Sequence, residues 1–164
     1  ELSDTDQLTG LYNRRRLEHD LTLHHQSLMR YSSPTSVCMF DLDNLKLIND
    51  TQGHHVGDQM IQAAANICRT ALRQTDTACR FGGDEFVVAL PNTGREQAIQ
   101  FAERLHGCFK QELDLFSVGN TVVTASIGIT TMLAEDSTYQ DTLKRADRAL
   151  YEAKNTGRNR IVWG

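Results

Sequence analysis

The sequence predicts an α+β fold in which a central, mainly antiparallel sheet is flanked by helices. Its 164 residues fit a single domain, residues 1–164, that is large enough to bury a hydrophobic core. Hydrophobic residues make up 40% and charged residues 23%, a globular mixture that excludes a disordered or fibrous chain. Helix-like and strand-like hydrophobic patterns alternate along the chain, and their order sets the fold class.

The first half of the chain predicts a helix, a strand and a second long helix. The near-helical spacing of Leu17, Leu21 and Leu28 indicates a first helix, which ends before Pro34. Residues 35–42 then alternate like a strand, so that Asp41 ends a mostly apolar segment. A short helical turn follows, and the apolar stripe over residues 56–72 indicates a helix that faces the core.

The second half predicts a hairpin, a helix, a strand and a final helix. Two short strands, residues 78–81 and 85–90, are joined through Gly82 and Gly83, which readily take the positive φ angles of a two-residue turn. The later elements are a helix over residues 95–113, a strand over 121–131, a helix over 142–155 and an edge strand over 160–163. The core order β-α-β-β-α-β is ferredoxin-like, with an extra helix before it and a helix plus strand after it.

The charge balance argues against a nucleic-acid-binding protein. Lys and Arg total 17 against 21 Asp and Glu, so the broad basic face that DNA or RNA requires is not expected. Apolar stretches of a few residues are too short for a transmembrane helix, so we expect a cytoplasmic domain without membrane contact. The first residue is Glu rather than Met, which suggests a domain excised from a larger regulated protein whose other parts could be membrane-anchored.

Acidic residues stand where the apolar strands end. Asp41 and Asp43 flank the end of the strand over residues 35–42, and Asp84 with Glu85 lies at the hairpin tip. If the two strands pair, these carboxylates meet and repel each other, and a hard divalent cation relieves that repulsion. Mg²⁺ combines one or two carboxylates with phosphate oxygens, so the cluster indicates a nucleotide site. The alternative is structural, because Asp also caps helices and occupies turns.

Other polar segments suit a nucleotide but have ordinary explanations. A glycine-punctuated loop over residues 49–58 enters a helix, where backbone N–H groups can face phosphate or base. Asp58 lies off the buried stripe of that helix and can accept two hydrogen bonds from a guanine edge, whereas a lone Asp by default caps a helix or faces solvent. Three basic residues lie near the chain end, namely Lys154, Arg158 and Arg160. They can bind a triphosphate or simply complement a helix C-terminus. Arg73 and Asp76, taken alone, are ordinary surface neighbours.

Four motifs in order resemble the GGDEF diguanylate cyclase family. Residues 80–86, RFGGDEF, resemble the family signature, and residues 6–15, DQLTGLYNRR, resemble its opening motif. Residues 40–58 resemble its Asp-x-Asp, Ile-Asn-Asp and Gly-Asp block, and residues 146–160 resemble its closing segment. The resemblance spans nearly the whole chain. It implies a nucleotidyl-cyclase-like palm, which agrees with the ferredoxin-like order of elements.

The resemblance implies an enzyme, a diguanylate cyclase that condenses two GTP molecules into cyclic di-GMP with release of pyrophosphate. It further implies a homodimer, required for catalysis, in which each subunit presents one GTP to the other. A two-metal mechanism with Mg²⁺, or alternatively Mn²⁺, is implied, with catalytic residues Asp84, Glu85 and Asp41. The implied metal ligands are Asp41, the Leu42 carbonyl, Asp84 and Glu85. The implied substrate-binding residues are Asn49 and Asp58 for guanine, Lys46, Lys154 and Arg158 for phosphates, and Gly82 and Gly83 for close backbone approach.

The resemblance also implies product inhibition. It assigns Arg73 and Asp76 to a site for a stacked dimer of cyclic di-GMP that bridges subunits, with Arg104 as the second arginine. One departure from the family pattern is Asn44-Leu45, which replaces a common aromatic pair and affects packing near the nucleotide more than chemistry.

Two other function classes compete with this interpretation. A non-catalytic receptor would bind GTP or cyclic di-GMP and signal by conformation, but such relatives usually lose signature residues that this chain keeps, among them Asp41, Asp84 and Glu85. An adenylyl or guanylyl cyclase shares the palm but should lack the combination of guanine and inhibitory sites.

Overall fold

The computed structural model describes residues 3–164, and within them it contains five α-helices and five strands. Along the chain these are α1 (Arg14–Tyr31), β1 (Thr35–Leu42), α2 (Leu45–Gln52), α3 (His54–Ala71), β2 (Thr77–Arg80), β3 (Glu85–Pro91), α4 (Arg95–Glu112), β4 (Ala125–Thr131), α5 (Tyr139–Asn155) and β5 (Ile161–Trp163). A short 3₁₀ helix, Leu113–Phe116, follows α4. None of the helices in this part of the chain is long and apolar enough to cross a membrane.

The strands form one sheet in the order β2-β3-β1-β4-β5. β1 pairs antiparallel with β3 on one side and with β4 on the other, and β2 pairs antiparallel with β3. The short β5 runs parallel to its neighbour β4. The predicted α+β, ferredoxin-like fold is therefore confirmed, with α1 before the core and α5 plus β5 after it.

Alternate residues of β1 divide the hydrophobic core into two layers. Cys38 and Phe40 belong to a cluster that includes residues of α3 and α4, whereas Val37 and Met39 belong to one that includes residues of α1 and α5. The Phe40 ring stacks on Phe86 of β3 at a centroid distance of 4.8 Å. Burial on both faces accounts for the continuous apolar run of β1.

Two element boundaries differ from the prediction, and local hydrogen bonds explain both. α5 starts about one turn earlier than predicted, because the Thr138 side chain accepts a hydrogen bond from the Gln140 N–H and caps the helix. β4 is shorter than the predicted range 121–131, because Val118 and Thr121 exchange main-chain hydrogen bonds in a separate turn.

The hairpin between β2 and β3 is wider than the sequence predicts. Residues 81–84 separate the two strands, and neither Gly82 nor Gly83 has a positive φ angle. The Glu85 carbonyl closes the loop by accepting hydrogen bonds from the N–H groups of Phe81 at 2.8 Å and Gly82 at 3.3 Å. The predicted two-residue turn was therefore wrong, because main-chain bonds to one carbonyl shape a longer loop.

A buried ionic contact fixes α5 against the end of β4. The Asp136 side chain, 5% exposed, accepts hydrogen bonds from the Arg145 guanidinium at 2.8 and 2.9 Å. The Thr142 hydroxyl and the Leu133 N–H donate to the same carboxylate. Burial acts to raise the pKa of Asp136, but these donors, with Arg145 foremost, outweigh it and lower the pKa to about 2.

We expect Asp136→Asn to reduce the free energy of unfolding by about 2 kcal/mol at neutral pH, because the lowered pKa of this carboxyl stabilises the folded state. The unfolded-state pKa is about 3.9, so the stabilisation is present above roughly pH 4 and is lost as the pH falls towards 2. Urea unfolding at pH 7 and about pH 3 measures the difference, which should shrink in acid. The exposed Glu112→Gln is the control, and a difference that does not change with pH would contradict the prediction.

Candidate active site

The candidate site lies where the end of β1 meets the hairpin that opens β3. Asp41 and Glu85 stand opposite each other in the antiparallel register of these strands, and Asp84 directly precedes Glu85. Opposite residues of an antiparallel pair lie roughly 4.5–5.5 Å apart, so the sheet itself brings the acidic residues together. The Leu42 carbonyl follows Asp41 at the same end of the central strand.

Asp41 has an unusual electrostatic environment. Its Oδ1 is buried, and among residues 3–164 it is the buried side-chain oxygen without a hydrogen-bond partner. The Lys154 Nζ lies 3.6 Å away, within ion-pair range but too far for a hydrogen bond. Burial is the main cause that raises the pKa of Asp41. The ammonium of Lys154 lowers this pKa and the neighbouring carboxyls of Asp84 and Glu85 raise it, so that the resulting pKa is about 8.

Glu85 shares this excess of negative charge. Burial raises the pKa of Glu85, and the nearby carboxylates of Asp147 and Asp84 raise it further. Two neighbouring carboxyls with raised pKa values indicate a place where added positive charge would be favourable.

Lys154 joins the acidic group from α5. Its Nζ donates to Asp43 Oδ1 at 2.9 Å and to the Leu42 carbonyl at 3.4 Å. Asp43 itself is turned into the protein, with a side chain only 1% exposed. The structure therefore separates the two residues of the Asp-x-Asp pair, since Asp41 borders the candidate site and Asp43 anchors Lys154.

Two open cavities meet at this group. One, of about 400 Å³, is lined by Leu42, Asn44, Leu45, Lys46, Leu47, Asp50, Asp84, Lys154 and Arg158. The other, of about 520 Å³, is lined by Asp41, Glu85, Lys144, Asp147, Arg148, Leu150, Tyr151 and Lys154. Lys154 borders both cavities, and several acidic and basic residues of the sequence prediction line one or the other.

Asn49 and Asp58 lie at the junction of α2 and α3. Asn49 packs directly over Gly57 in the first turn of α3, so closely that a Cβ at Gly57 would lie 2.8 Å from the Asn49 Cγ. Asp58, next to Gly57, is exposed. Because Asn49 is one helical turn beyond Lys46 on α2, the helix links this junction to the first cavity.

Arg73, Asp76 and Arg104 form a separate group around the C-terminal end of α3. The Arg73 N–H donates to Asp76 Oδ2 at 2.8 Å, and the Arg73 guanidinium donates to Asp76 Oδ1 at 3.3 Å. Arg104 donates to the Ala71 carbonyl at 3.2 Å and lies over the Phe101 ring. The Arg73 side chain remains 54% exposed, so the group can contact a ligand in solvent.

The hairpin tip is tied to the N-terminal segment. The Arg80 guanidinium donates to the Gly83 carbonyl at 2.7 and 3.1 Å and to Asp6 Oδ1 at 3.3 Å. One side chain thus fixes the position of the loop that carries Asp84 and connects two of the four sequence motifs.

Within the described part of the chain, no three His, Cys, Asp or Glu side chains are arranged to hold a metal ion by themselves. The unpartnered oxygen of Asp41 nevertheless fits a divalent cation, which would supply the missing contact and offset the local negative charge. The oxygen donors available for such an ion are Asp41, the Leu42 carbonyl, Asp84 and Glu85.

The anchoring role of Asp43 was not evident from the sequence. Its carboxylate accepts hydrogen bonds from the hydroxyls of Thr124 at 2.6 Å and Ser126 at 2.8 Å. A signal existed, because Ser126 interrupts an otherwise apolar strand and is completely buried there. A buried hydroxyl in a strand requires a polar partner.

Comparison with known proteins identifies the family. The sequence profile described as diguanylate cyclase, GGDEF domain, matches residues 3–160. The response regulator PleD of Caulobacter vibrioides is 38% identical over 164 residues, covering 99% of this chain and 36% of PleD. The crystal structure of the diguanylate cyclase SiaD with its activator SiaC from Pseudomonas aeruginosa matches with a TM-score of 0.90 at 36% identity, covering 99% of this chain and 62% of SiaD. The GGDEF domain of DgcB from Caulobacter crescentus, in complex with c-di-GMP, matches with a TM-score of 0.87 at 27% identity, covering 99% of this chain and 96% of the DgcB domain.

The chain spans between a third and a half of the length of the curated relatives that it matches. The family match, in contrast, covers nearly all of this chain, and its fold matches that of the solved DgcB GGDEF domain over 99% of the chain. The chain therefore belongs to the GGDEF domain family of diguanylate cyclases.

Proposed function

We propose that this domain condenses two GTP molecules into cyclic di-GMP and releases two pyrophosphates. The observation that supports this most is the buried, unpartnered Oδ1 of Asp41, surrounded by Asp84 and Glu85 and approached by Lys154. This combination of carboxylates and a cation suits a metal-bound triphosphate better than it suits a folding role. Curated relatives named as diguanylate cyclases support the same reaction.

The acidic residues would hold Mg²⁺, or Mn²⁺ in its place, through Asp41, the Leu42 carbonyl, Asp84 and Glu85. When bound, such an ion lowers the pKa of the attacking ribose 3′-hydroxyl and offsets the charge of the triphosphate. The proton of that hydroxyl would pass to Asp84, to Glu85 or to a water molecule beside them.

The basic and polar residues would hold the nucleotide. Lys154, Arg158 and Lys46 line the cavity beside Asp84, where they can contact the phosphates. Asn49 and Asp58, at the α2–α3 junction, can hydrogen-bond the guanine edge. Gly82 and Gly83 are exposed at the hairpin tip, where the missing side chains leave room for phosphate oxygens.

A homodimer would complete the reaction, because the product joins two nucleotides and each domain presents one. Each 3′-hydroxyl then attacks the α-phosphorus of the GTP on the other protomer, and each attack expels one pyrophosphate. Segments outside the domain would raise the effective concentration of the two copies.

Incubation of the domain with GTP and Mg²⁺, followed by chromatographic identification of products, tests this proposal. We expect cyclic di-GMP and pyrophosphate. Cyclic GMP as the product would indicate a mononucleotide cyclase instead. Binding of GTP or cyclic di-GMP without turnover, at protein concentrations that maintain the dimer, would indicate a receptor.

Gly57→Ala is expected to raise the KM for GTP roughly tenfold while leaving stability nearly unchanged. The new Cβ would displace the Asn49 side chain, which can rotate away at little cost, so the base contact is lost without disturbing the core. Initial rates over a range of GTP concentrations measure the effect. Asn49→Ala should give a similar KM, and the double variant should have a KM close to that of each single variant. An unchanged KM in Gly57→Ala would contradict the proposed base contact.

We further propose that cyclic di-GMP inhibits the enzyme by binding Arg73, Asp76 and Arg104. Arg73 and Asp76 are already joined by hydrogen bonds, and Arg104 donates to the carbonyl of Ala71, the last residue of α3. The DgcB domain whose structure matches this chain was solved with c-di-GMP bound, which supports a product site on this fold.

Arg73→Ala is expected to weaken inhibition by cyclic di-GMP at least tenfold, because a charge-assisted contact to phosphate is lost. The initial rate without product should stay within about twofold, since Arg73 lies outside both cavities of the candidate active site. Titration of product into the cyclase reaction measures the change. Exposed Arg95, at the start of α4, provides the matched control as Arg95→Ala; inhibition of Arg73→Ala equal to that of the unmodified domain would exclude this site.

A further inference from the structure

Asp43 lies within the Asp-x-Asp block, residues 40–58, but does not line either cavity of the candidate active site. We propose that Asp43 is a positioning residue for phosphate binding, which holds both Lys154 and the turn carrying Arg158 at the nucleotide cavity. This inference rests on the function proposed above. Because the Asp43 side chain is 1% exposed, its influence on a nucleotide would pass through the groups that it binds.

Donors from three separate segments converge on the Asp43 carboxylate. Lys154 of α5 donates to Oδ1 at 2.9 Å, and Ser126 of β4 donates to the same oxygen at 2.8 Å. Thr124 donates to Oδ2 at 2.6 Å, and the main-chain N–H of Asn159 donates to Oδ2 at 3.1 Å. The carboxylate therefore connects β4, the last helix and the turn after that helix.

Asp43 determines which carboxylate Lys154 contacts. The ammonium is 2.9 Å from Asp43 Oδ1 but 3.6 Å from Asp41 Oδ1. Without the negative charge of Asp43, the ammonium would move towards Asp41 and form the hydrogen bond that a distance of 3.6 Å does not allow. Lys154 would then occupy the oxygen proposed for a divalent cation and would be withdrawn from the phosphate cavity.

Asp43 also supports the turn that carries Arg158. Arg158 and Asn159 have φ angles of 61° and 47°, a left-handed conformation that is unfavourable for consecutive non-glycine residues. The hydrogen bond from the Asn159 N–H to Asp43 holds this turn, and the Arg158 N–H donates to the Ala153 carbonyl at 2.9 Å. One buried carboxylate thus holds the ammonium of Lys154 and the main-chain turn that carries Arg158.

A purely structural role would have different consequences, and Asp136 provides the comparison. Asp136 is also a buried carboxylate that anchors α5, through Arg145, but it lies outside both cavities. If Asp43 only stabilised the fold, Asp43→Asn and Asp136→Asn would affect nucleotide binding alike. If Asp43 positions the phosphate-binding groups, only Asp43→Asn would weaken binding, and the loss would depend on the number of phosphates.

The test is calorimetric binding of 3′-deoxy-GTP, which lacks the attacking hydroxyl, and of GMP, both with Mg²⁺. We expect Asp43→Asn to weaken 3′-deoxy-GTP binding at least tenfold and GMP binding less than twofold, whereas Asp136→Asn changes neither in its folded state. Equal losses for both ligands, or no loss for either, would overturn the inference. Circular dichroism establishes that each variant is folded at the temperature used.

A second variant maintains the test if Asp43→Asn fails to fold. Thr124→Val removes the shortest hydrogen bond to the carboxylate and leaves its charge in place. We expect it to weaken 3′-deoxy-GTP binding about threefold without changing GMP binding, and unchanged triphosphate affinity would overturn the inference. Cyclase activity of the unmodified domain is measured separately. If the unmodified domain is inactive but Asp43→Asn selectively weakens 3′-deoxy-GTP binding, only the proposed function is contradicted. If the unmodified domain is active but Asp43→Asn causes no selective loss, only the role of Asp43 is contradicted.

Discussion

Asp84→Ala is expected to reduce cyclic di-GMP synthesis by about a thousandfold or more, while the domain stays folded. Asp84 lies at the hairpin tip beside Asp41 and contributes to the raised pKa of that carboxyl. Its removal would take away a donor for the proposed cation and a source of the local negative charge. Losses of this size are typical when a group that stabilises the transition state is deleted.

The measurement is the initial rate of cyclic di-GMP formation at saturating GTP and Mg²⁺, together with the unfolding midpoint in urea. The control is Glu112→Ala, which removes an exposed carboxylate from the last turn of α4. The control should retain its activity within about twofold, as surface substitutions usually do. A folded Asp84→Ala variant with near-normal turnover would exclude the role assigned to the hairpin carboxylate.

Gly128→Ala is expected to destabilise the domain by about 3 kcal/mol or more. Gly128 lies in β4 directly beneath α5, and a Cβ there would be 2.8 Å from the Leu150 Cα and closer still to the Leu150 N and the Ala146 carbonyl oxygen. These are main-chain atoms of a helix, so they cannot rotate away as a side chain can. The whole of α5 would have to move outward from the sheet, taking Lys154 with it.

Thermal and urea unfolding followed by circular dichroism measure this loss. Gly107→Ala is the matched control, because Gly107 lies within α4 and a Cβ there would meet no described heavy atom within 4 Å. That change should stabilise the domain by about 0.5–1 kcal/mol, since alanine favours the helix. Similar stability of Gly128→Ala and the unmodified domain would show that α5 can shift without cost.

Much of the fold could be predicted because hydrophobic periodicity reflects burial on defined faces. The bounds of β1 were predicted correctly, and its alternate residues do face different core layers. The hairpin turn could not be predicted from Gly82 and Gly83 alone. The loop that contains them is held by Arg80, which also binds Asp6, a residue 74 positions away in the sequence.

The meeting of the acidic residues could also be predicted, since pairing of β1 with β3 places Asp41 opposite Glu85. The different environments of Asp41 and Asp43 could not. Asp41 lies at the end of an apolar strand and Asp43 directly follows it, but the partners that bury Asp43 come from β4 and the segment before it, more than 80 positions along the chain. Sequence spacing predicts local periodicity well, whereas it does not show which distant hydroxyls will surround a carboxylate.

The position of β1 in the sheet has a consequence for how the molecule opens locally. β2 and β5 form the two edges and contain four and three residues, so their amide protons have few neighbours to protect them. β1 is hydrogen-bonded on both sides, so we expect its amides to exchange with solvent last, through near-complete unfolding. The edge strands can therefore open repeatedly without disturbing the central strand that carries Asp41.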